Sequence, residues 1–119
     1  MVDYNELFQS ADWKKEKHAP VIEVKSRDPV LVEVSVGKEI EHPNTVEHHI
    51  RWIQLLFHPE GEKFPVEIGK IEFNSHTTDA GQTEPKGFFS IKTNKSGMLI
   101  AFSFCNIHGF WRNEQPLTL

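Results

Sequence analysis

The 119-residue chain has one cysteine, Cys105, and it opens the pentapeptide Cys105-Asn106-Ile107-His108-Gly109. A sulfur and an imidazole separated by two residues on a tight turn can grip one transition-metal ion. Upstream, His42-Pro43-Asn44-Thr45-Val46-Glu47-His48-His49 supplies further imidazoles, and His42 and His48, with five residues between them, can close on the same ion. Adjacent side chains diverge on an extended or helical backbone, so only one of His48 and His49 reaches a given metal. His58, just ahead of Pro59, and His76, in a polar stretch, read as solvated surface histidines and are left out of the site.

Strands must position these groups. Val21 to Val24, Val30 to Val36, Ile50 to Phe57, Val66 to Phe73, Phe88 to Thr93 and Met98 to Cys105 have β-branched and aromatic content, often in a two-residue rhythm. In Val30 to Val36 the apolar face is even-numbered. In the last run Met98, Ile100, Phe102 and Phe104 face away from Leu99, Ala101, Ser103 and Cys105, so Cys105 ends a core strand. Asn94-Lys95-Ser96-Gly97 has hairpin-turn chemistry, which predicts that the flanking strands pair antiparallel. Ser75 to Gly87 reads as a surface loop, and Tyr4 to Ser10 as a short helical turn. The expected fold is all-β: an immunoglobulin-like antiparallel sandwich or Greek-key barrel of about seven strands, with α/β disfavoured.

Length and composition set the remaining bounds. A chain of 119 residues is expected to be one domain over 1–119, burying roughly two-thirds of its unfolded surface. One cysteine allows no intrachain disulfide, which suits a reducing cytoplasm. The amino terminus lacks the basic and apolar segments of a signal peptide, and Ser103 interrupts the longest apolar run, so a soluble, unexported protein without a membrane partner is expected. Formal net charge is −4 with no basic stripe, which argues against nucleic acid as a partner.

Three separated segments resemble the signature stretches of superoxide reductase, the neelaredoxin and desulfoferrodoxin family: Glu16-Lys17-His18-Ala19-Pro20, His42 to Arg51, and Cys105-Asn106-Ile107-His108-Gly109-x-Trp111. Val36-Gly37-Lys38-Glu39-Ile40 and Pro59-Glu60-Gly61-Glu62, between them, extend the similarity over nearly the whole chain. The resemblance implies one mononuclear iron per chain, cycling between Fe2+ and Fe3+. It makes His18, His42, His48 and His108 the equatorial ligands and Cys105 the axial one, with His49 a neighbour that does not ligate. Longer members carry a further amino-terminal iron site built from four cysteines, so this chain resembles the one-iron class.

The implied activity is one-electron reduction of superoxide to hydrogen peroxide. Four imidazoles and a thiolate leave one position open opposite the sulfur for a small anion. Lys17 matches the family's lysine beside that position, where it would attract superoxide; read alone it is one more solvated lysine. Glu16 matches a removable sixth ligand of the oxidised state; read alone it is an ordinary loop acid. The amides of Ile107 and His108 are placed to bond the sulfur, and Pro43 and Asn44 to hold the loop presenting His42. The resemblance further implies a rubredoxin-type electron donor and a homotetramer. The alternative is a blue-copper-like electron-transfer protein, but no methionine follows Cys105 as a weak axial ligand. A structural zinc site would leave more ligands than the usual four.

Overall fold

A computed structural model describes residues 1–77 and 80–119. Thr78 and Asp79, within the expected Ser75 to Gly87 loop, lie outside the described residues. Seven strands follow a 3-10 turn at Tyr4–Glu6: β1 (Val21–Arg27), β2 (Val30–Ser35), β3 (Ile50–Pro59), β4 (Val66–Glu72), β5 (Lys86–Ile91), β6 (Gly97–Cys105) and β7 (Gly109–Leu117). They form two sheets, β1-β2-β5 and β4-β3-β6-β7, with every neighbouring pair antiparallel. This is the all-β, immunoglobulin-like sandwich expected from the alternation, here with three strands facing four. No helix among the described residues is long and apolar enough to cross a membrane.

The two-residue rhythm decides which faces meet. Val30, Val32, Val34 and Val36 turn inward from one sheet, and Ile53, Leu55, Phe57, Leu99 and Ala101 from the other. Each large aliphatic side chain withdrawn from water in this way contributes roughly 1.5–3 kcal/mol before chain entropy is counted. The core runs to the end of β6, where Cys105 is 0% exposed.

One expected pairing is wrong. Asn94 to Gly97 does not join neighbours, because β5 pairs with β2 whereas β6 lies between β3 and β7. The stretch makes a local turn, with the Lys95 amide donating to Thr93 Oγ1, and the chain then crosses between sheets. Turn chemistry fixes a local reversal, but burial selects the partner. Gly87, Phe89 and Ile91 of β5 are buried, and Gly97 lies so close to β3 that a Cβ would come within 2.2 Å of the His58 carbonyl oxygen.

Strand β7 was not delimited from sequence. It carries the polar run Arg112-Asn113-Glu114-Gln115 and Pro116, and it is the edge of its sheet, where proline is tolerated. The expected turn from Tyr4 to Ser10 is helical only through Glu6, after which Gln9 bridges to Trp111.

Candidate metal centre

The hairpin joining β6 to β7 builds one side of the site. Cys105 pairs with Gly109 across it, and Gly109 takes the left-handed backbone (φ +80°) that closes a three-residue connection without steric cost. Asn106, Ile107 and His108 are thereby folded over the strand end. His108 Nδ1 lies 3.8 Å from Cys105 Sγ, and of the two amides expected to bond the sulfur, His108's is the one that does so, at 3.4 Å.

The segment before β1 supplies His18. Its carbonyl accepts from the buried Ser103 Oγ at 2.9 Å, and its ring stacks on Trp111, with centroids 4.8 Å apart and planes 12° apart. Trp111 Nε1 in turn donates to the His108 carbonyl at 3.2 Å, so one indole braces both arms. Glu16 bonds His18 Nδ1 and also accepts from the amides of His18 (2.6 Å) and Ala19 (2.8 Å). With Nδ1 committed, His18 presents Nε2, which lies 3.1 Å from His108 Nδ1.

His42 and His48 come from the connection between β2 and β3. Gly37 (φ +83°) lets the chain pass so close that a Cβ there would meet the His42 amide nitrogen at 2.7 Å. His42 Nδ1 donates to the Pro43 carbonyl (2.7 Å), leaving Nε2 turned inward. Thr45 and His48 close a tight turn through reciprocal backbone bonds of 2.9 and 3.2 Å. Asn106 ties that turn to the hairpin: its Oδ1 accepts from the His49 amide (2.8 Å), its amide donates to the His49 carbonyl (3.2 Å), and its Nδ2 donates to the Glu47 carbonyl (3.0 Å).

Four imidazoles therefore form a closed ring. Successive centroids lie 4.7 Å apart from His18 to His42, 4.7 Å from His42 to His48, 5.0 Å from His48 to His108 and 4.8 Å from His108 to His18. The diagonal from His18 to His48 is 6.3 Å. One ligand atom each from His18, His48, Cys105 and His108 falls within 4.8 Å of the others. His42 lies outside that tightest group but completes the ring. The Nε2 atoms of His42 and His48 are buried without a hydrogen-bond partner among the described residues. A buried unpaired polar atom costs roughly 1–3 kcal/mol, and two of them in one ring of imidazoles, that of His48 grouped with the cysteine sulfur, fit a metal ion.

Electrostatics keep these lone pairs available. Burial, reinforced by the charges of His18, His48 and Lys17, brings the His42 pKa down to about 4 against the weaker opposing effect of its bond to Pro43. Burial, then His108, His18 and Lys17, also lowers that of His48. Burial would raise the Glu16 pKa, but hydrogen bonds from His18 and Ala19 outweigh it, and the net shift is downward. Lys17, half-buried, is thus near enough for its charge to be felt by two of the imidazoles.

Among the remaining sequence candidates, His49 points away: its Nδ1 donates to the Thr45 carbonyl (2.8 Å) and its ring stacks on His76. His58 Nε2 bonds the Glu62 carbonyl at the far end of β3. His76, expected to be a solvated surface group, is instead half-buried, with Nδ1 bonded to Asn44 Oδ1 at 2.8 Å. Sequence reasoning assigned no role to Ser103, Asn106 or Trp111. The polar Ser103 on an otherwise apolar inner face was the one available signal.

The desulfoferrodoxin family pattern matches residues 10–114. A superoxide reductase of Pyrococcus horikoshii is 58% identical over 113 residues, covering 94% of this chain and 96% of the relative. One from Thermococcus kodakarensis is 58% identical over 114 residues, covering 95% and 97%. The solved structure of a superoxide reductase (neelaredoxin) from Archaeoglobus fulgidus in the reduced form superposes with a TM-score of 0.90 at 55% identity, covering 95% of this chain and 99% of that one. The chain belongs to the desulfoferrodoxin family.

Proposed function

We propose that this member of the desulfoferrodoxin family is an iron-dependent superoxide reductase in which His18, His42, His48, His108 and Cys105 hold one iron per chain. The observation that carries the reading is the ring of four imidazoles beside a buried sulfur, with two inward nitrogens otherwise unpaired. When bound, iron supplies the electron that, with two protons, converts superoxide to hydrogen peroxide, and an outside donor restores it. His18, His42 and His48 would present Nε2, and His108 Nδ1.

The other residues prepare that chemistry. Lys17 raises the local concentration of the anion, and its ammonium, like nearby water, is a proton source. The Glu16 carboxylate fixes the tautomer and direction of His18, as a carboxylate behind a metal-bound histidine does. For Glu16 to act as a removable sixth ligand of the oxidised state it must first release the His18 ring and two amides. The His108 amide withdraws electron density from the sulfur, which raises the reduction potential.

The chain acts as one iron domain over residues 1–119 in a reducing, cytoplasmic setting that suits a lone unpaired cysteine. Its electrons come from a rubredoxin-type protein, and it assembles as a homotetramer; family membership supports both. The blue-copper alternative is not favoured, since Met98 stands at the other end of β6, opposite His58 and Pro116, and copper would leave imidazoles unused.

The test is a titration of anaerobically reduced, iron-loaded protein with superoxide, following iron oxidation, peroxide and dioxygen together. One peroxide formed and one iron oxidised per superoxide, without dioxygen, is the expected result. Sustained dioxygen release without net iron oxidation would mean dismutation, and no reaction would return the site to electron transfer.

A further inference from the structure

His76 contributes nothing to the ring of imidazoles, yet it touches the loop that carries two of them at both ends. Its Nδ1 bonds Asn44 Oδ1 at 2.8 Å, two residues after His42. Its ring lies flat on that of His49, centroids 3.6 Å apart and planes 7° apart, one residue after His48. Asn44 is held at its other end too, because Nδ2 donates to the Thr83 carbonyl at 3.0 Å. Ser75 and Thr83 pinch the base of this support, with the Thr83 amide donating to the Ser75 carbonyl at 2.8 Å.

We infer that His76 is a positioning residue for the metal centre: through Asn44 and His49 it clamps the 44–49 segment so that His42 and His48 keep their inward directions. The physical need is plain. The imidazoles gain nothing from facing one another with unpaired buried nitrogens, so an external brace must hold them there until the ion is bound. His49 is spent as the brace's receiving surface, with its Nδ1 pinned to Thr45 inside the same turn. Adjacent histidines thus divide their work, one aimed inward and its neighbour serving as the plate on which His76 rests.

The inference rests on the iron reading above, and its test separates the two. His76→Ala, His76→Phe and, as a control on the far end of β3, His58→Ala are each loaded with ferrous iron, and transfer of iron to a chelator is timed. Amide hydrogen exchange at His48 is measured on the metal-free proteins, and the spectrum of the oxidised iron site is recorded. Loss of a support behind a metal ligand weakens binding on the order of tenfold or more, so His76→Ala should release iron about tenfold faster with an altered spectrum. Its His48 amide should exchange faster while those of Val32 and Leu99 do not. His76→Phe, which folds if the alanine variant does not, keeps a stacking surface and should fall between. Wild-type release, spectrum and His48 exchange in both His76 variants would overturn the inference. If wild-type protein takes up no iron, the iron reading fails by itself, and unaltered His48 exchange in the metal-free variants would still reject the clamp.

Discussion

Two groups of histidines stand side by side at one end of the sandwich, and their difference explains the site. In the ring of His18, His42, His48 and His108, hydrogen bonds at the outer nitrogens of His18 and His42 leave the other nitrogen of each facing inward. In the pair of His49 and His76 both Nδ1 atoms are likewise committed, but the rings lie face to face at 3.6 Å instead of converging on a sulfur. Residue type is the same in both groups. What separates an imidazole turned into the ring from one stacked outside it is the backbone beneath it, above all the tight turn from Thr45 to His48, which sends consecutive side chains to opposite sides.

Substitutions should break the two groups differently, and the largest effect is expected within the ring. Cys105→Ser should abolish the sulfur-to-iron absorption and most superoxide reduction, and His48→Ala should lower bound iron well below one per chain by metal analysis. His49→Ala, by contrast, should still take up a full equivalent of iron while releasing it faster, because only the brace is lost. A His49→Ala protein unable to hold iron would collapse the distinction between the groups.

Effects of intermediate size are expected where side chains tie the two arms together. Asn106→Ala removes a clamp of two side-chain bonds between the β6–β7 hairpin and the turn at Glu47 to His49. Both bonds are solvent-exposed, so water replaces the lost partner, and a cost of about 0.5–1.5 kcal/mol is expected in chemical denaturation. Trp111→Phe keeps a ring against His18 but loses the donor to the His108 carbonyl. A loss of about 0.5–1.5 kcal/mol is expected, with the His18 side of the site retained.

The smallest change concerns attraction alone. Lys17→Ala should leave iron content unaltered but slow superoxide capture and flatten its dependence on ionic strength, measured by pulse radiolysis across a salt series. Unchanged salt dependence would remove Lys17 from the approach path.

Much of this was legible in sequence where a pattern is local. Alternation in Val30 to Val36 and Met98 to Cys105 correctly marked inner faces, because a strand's two-residue period needs no knowledge of its partners. The pairing across Asn94 to Gly97 misled because the choice between β2 and β6 as a neighbour belongs to the whole sandwich. At the site, residue types and spacing singled out His42, His48, Cys105 and His108, the family resemblance added His18, and the fold brings these five side chains together. Asn106 and Trp111 were given no role, and His76 was set aside as a solvated group, because they act on backbone or rings far along the chain: Asn106 on Glu47, Trp111 on His18, His76 on Asn44. Polar and aromatic residues of this kind carry no periodicity, and their purpose becomes visible only once the strands have brought distant turns together.

The measurement that tests the central claim most directly is a crystal structure of the iron-loaded protein, with anomalous scattering recorded on both sides of the iron absorption edge. We predict one iron peak per chain, inside the ring and within bonding distance of His18, His42 and His48 Nε2, His108 Nδ1 and Cys105 Sγ. A peak between His49 and His76, or one lacking Cys105 as a neighbour, would contradict the account.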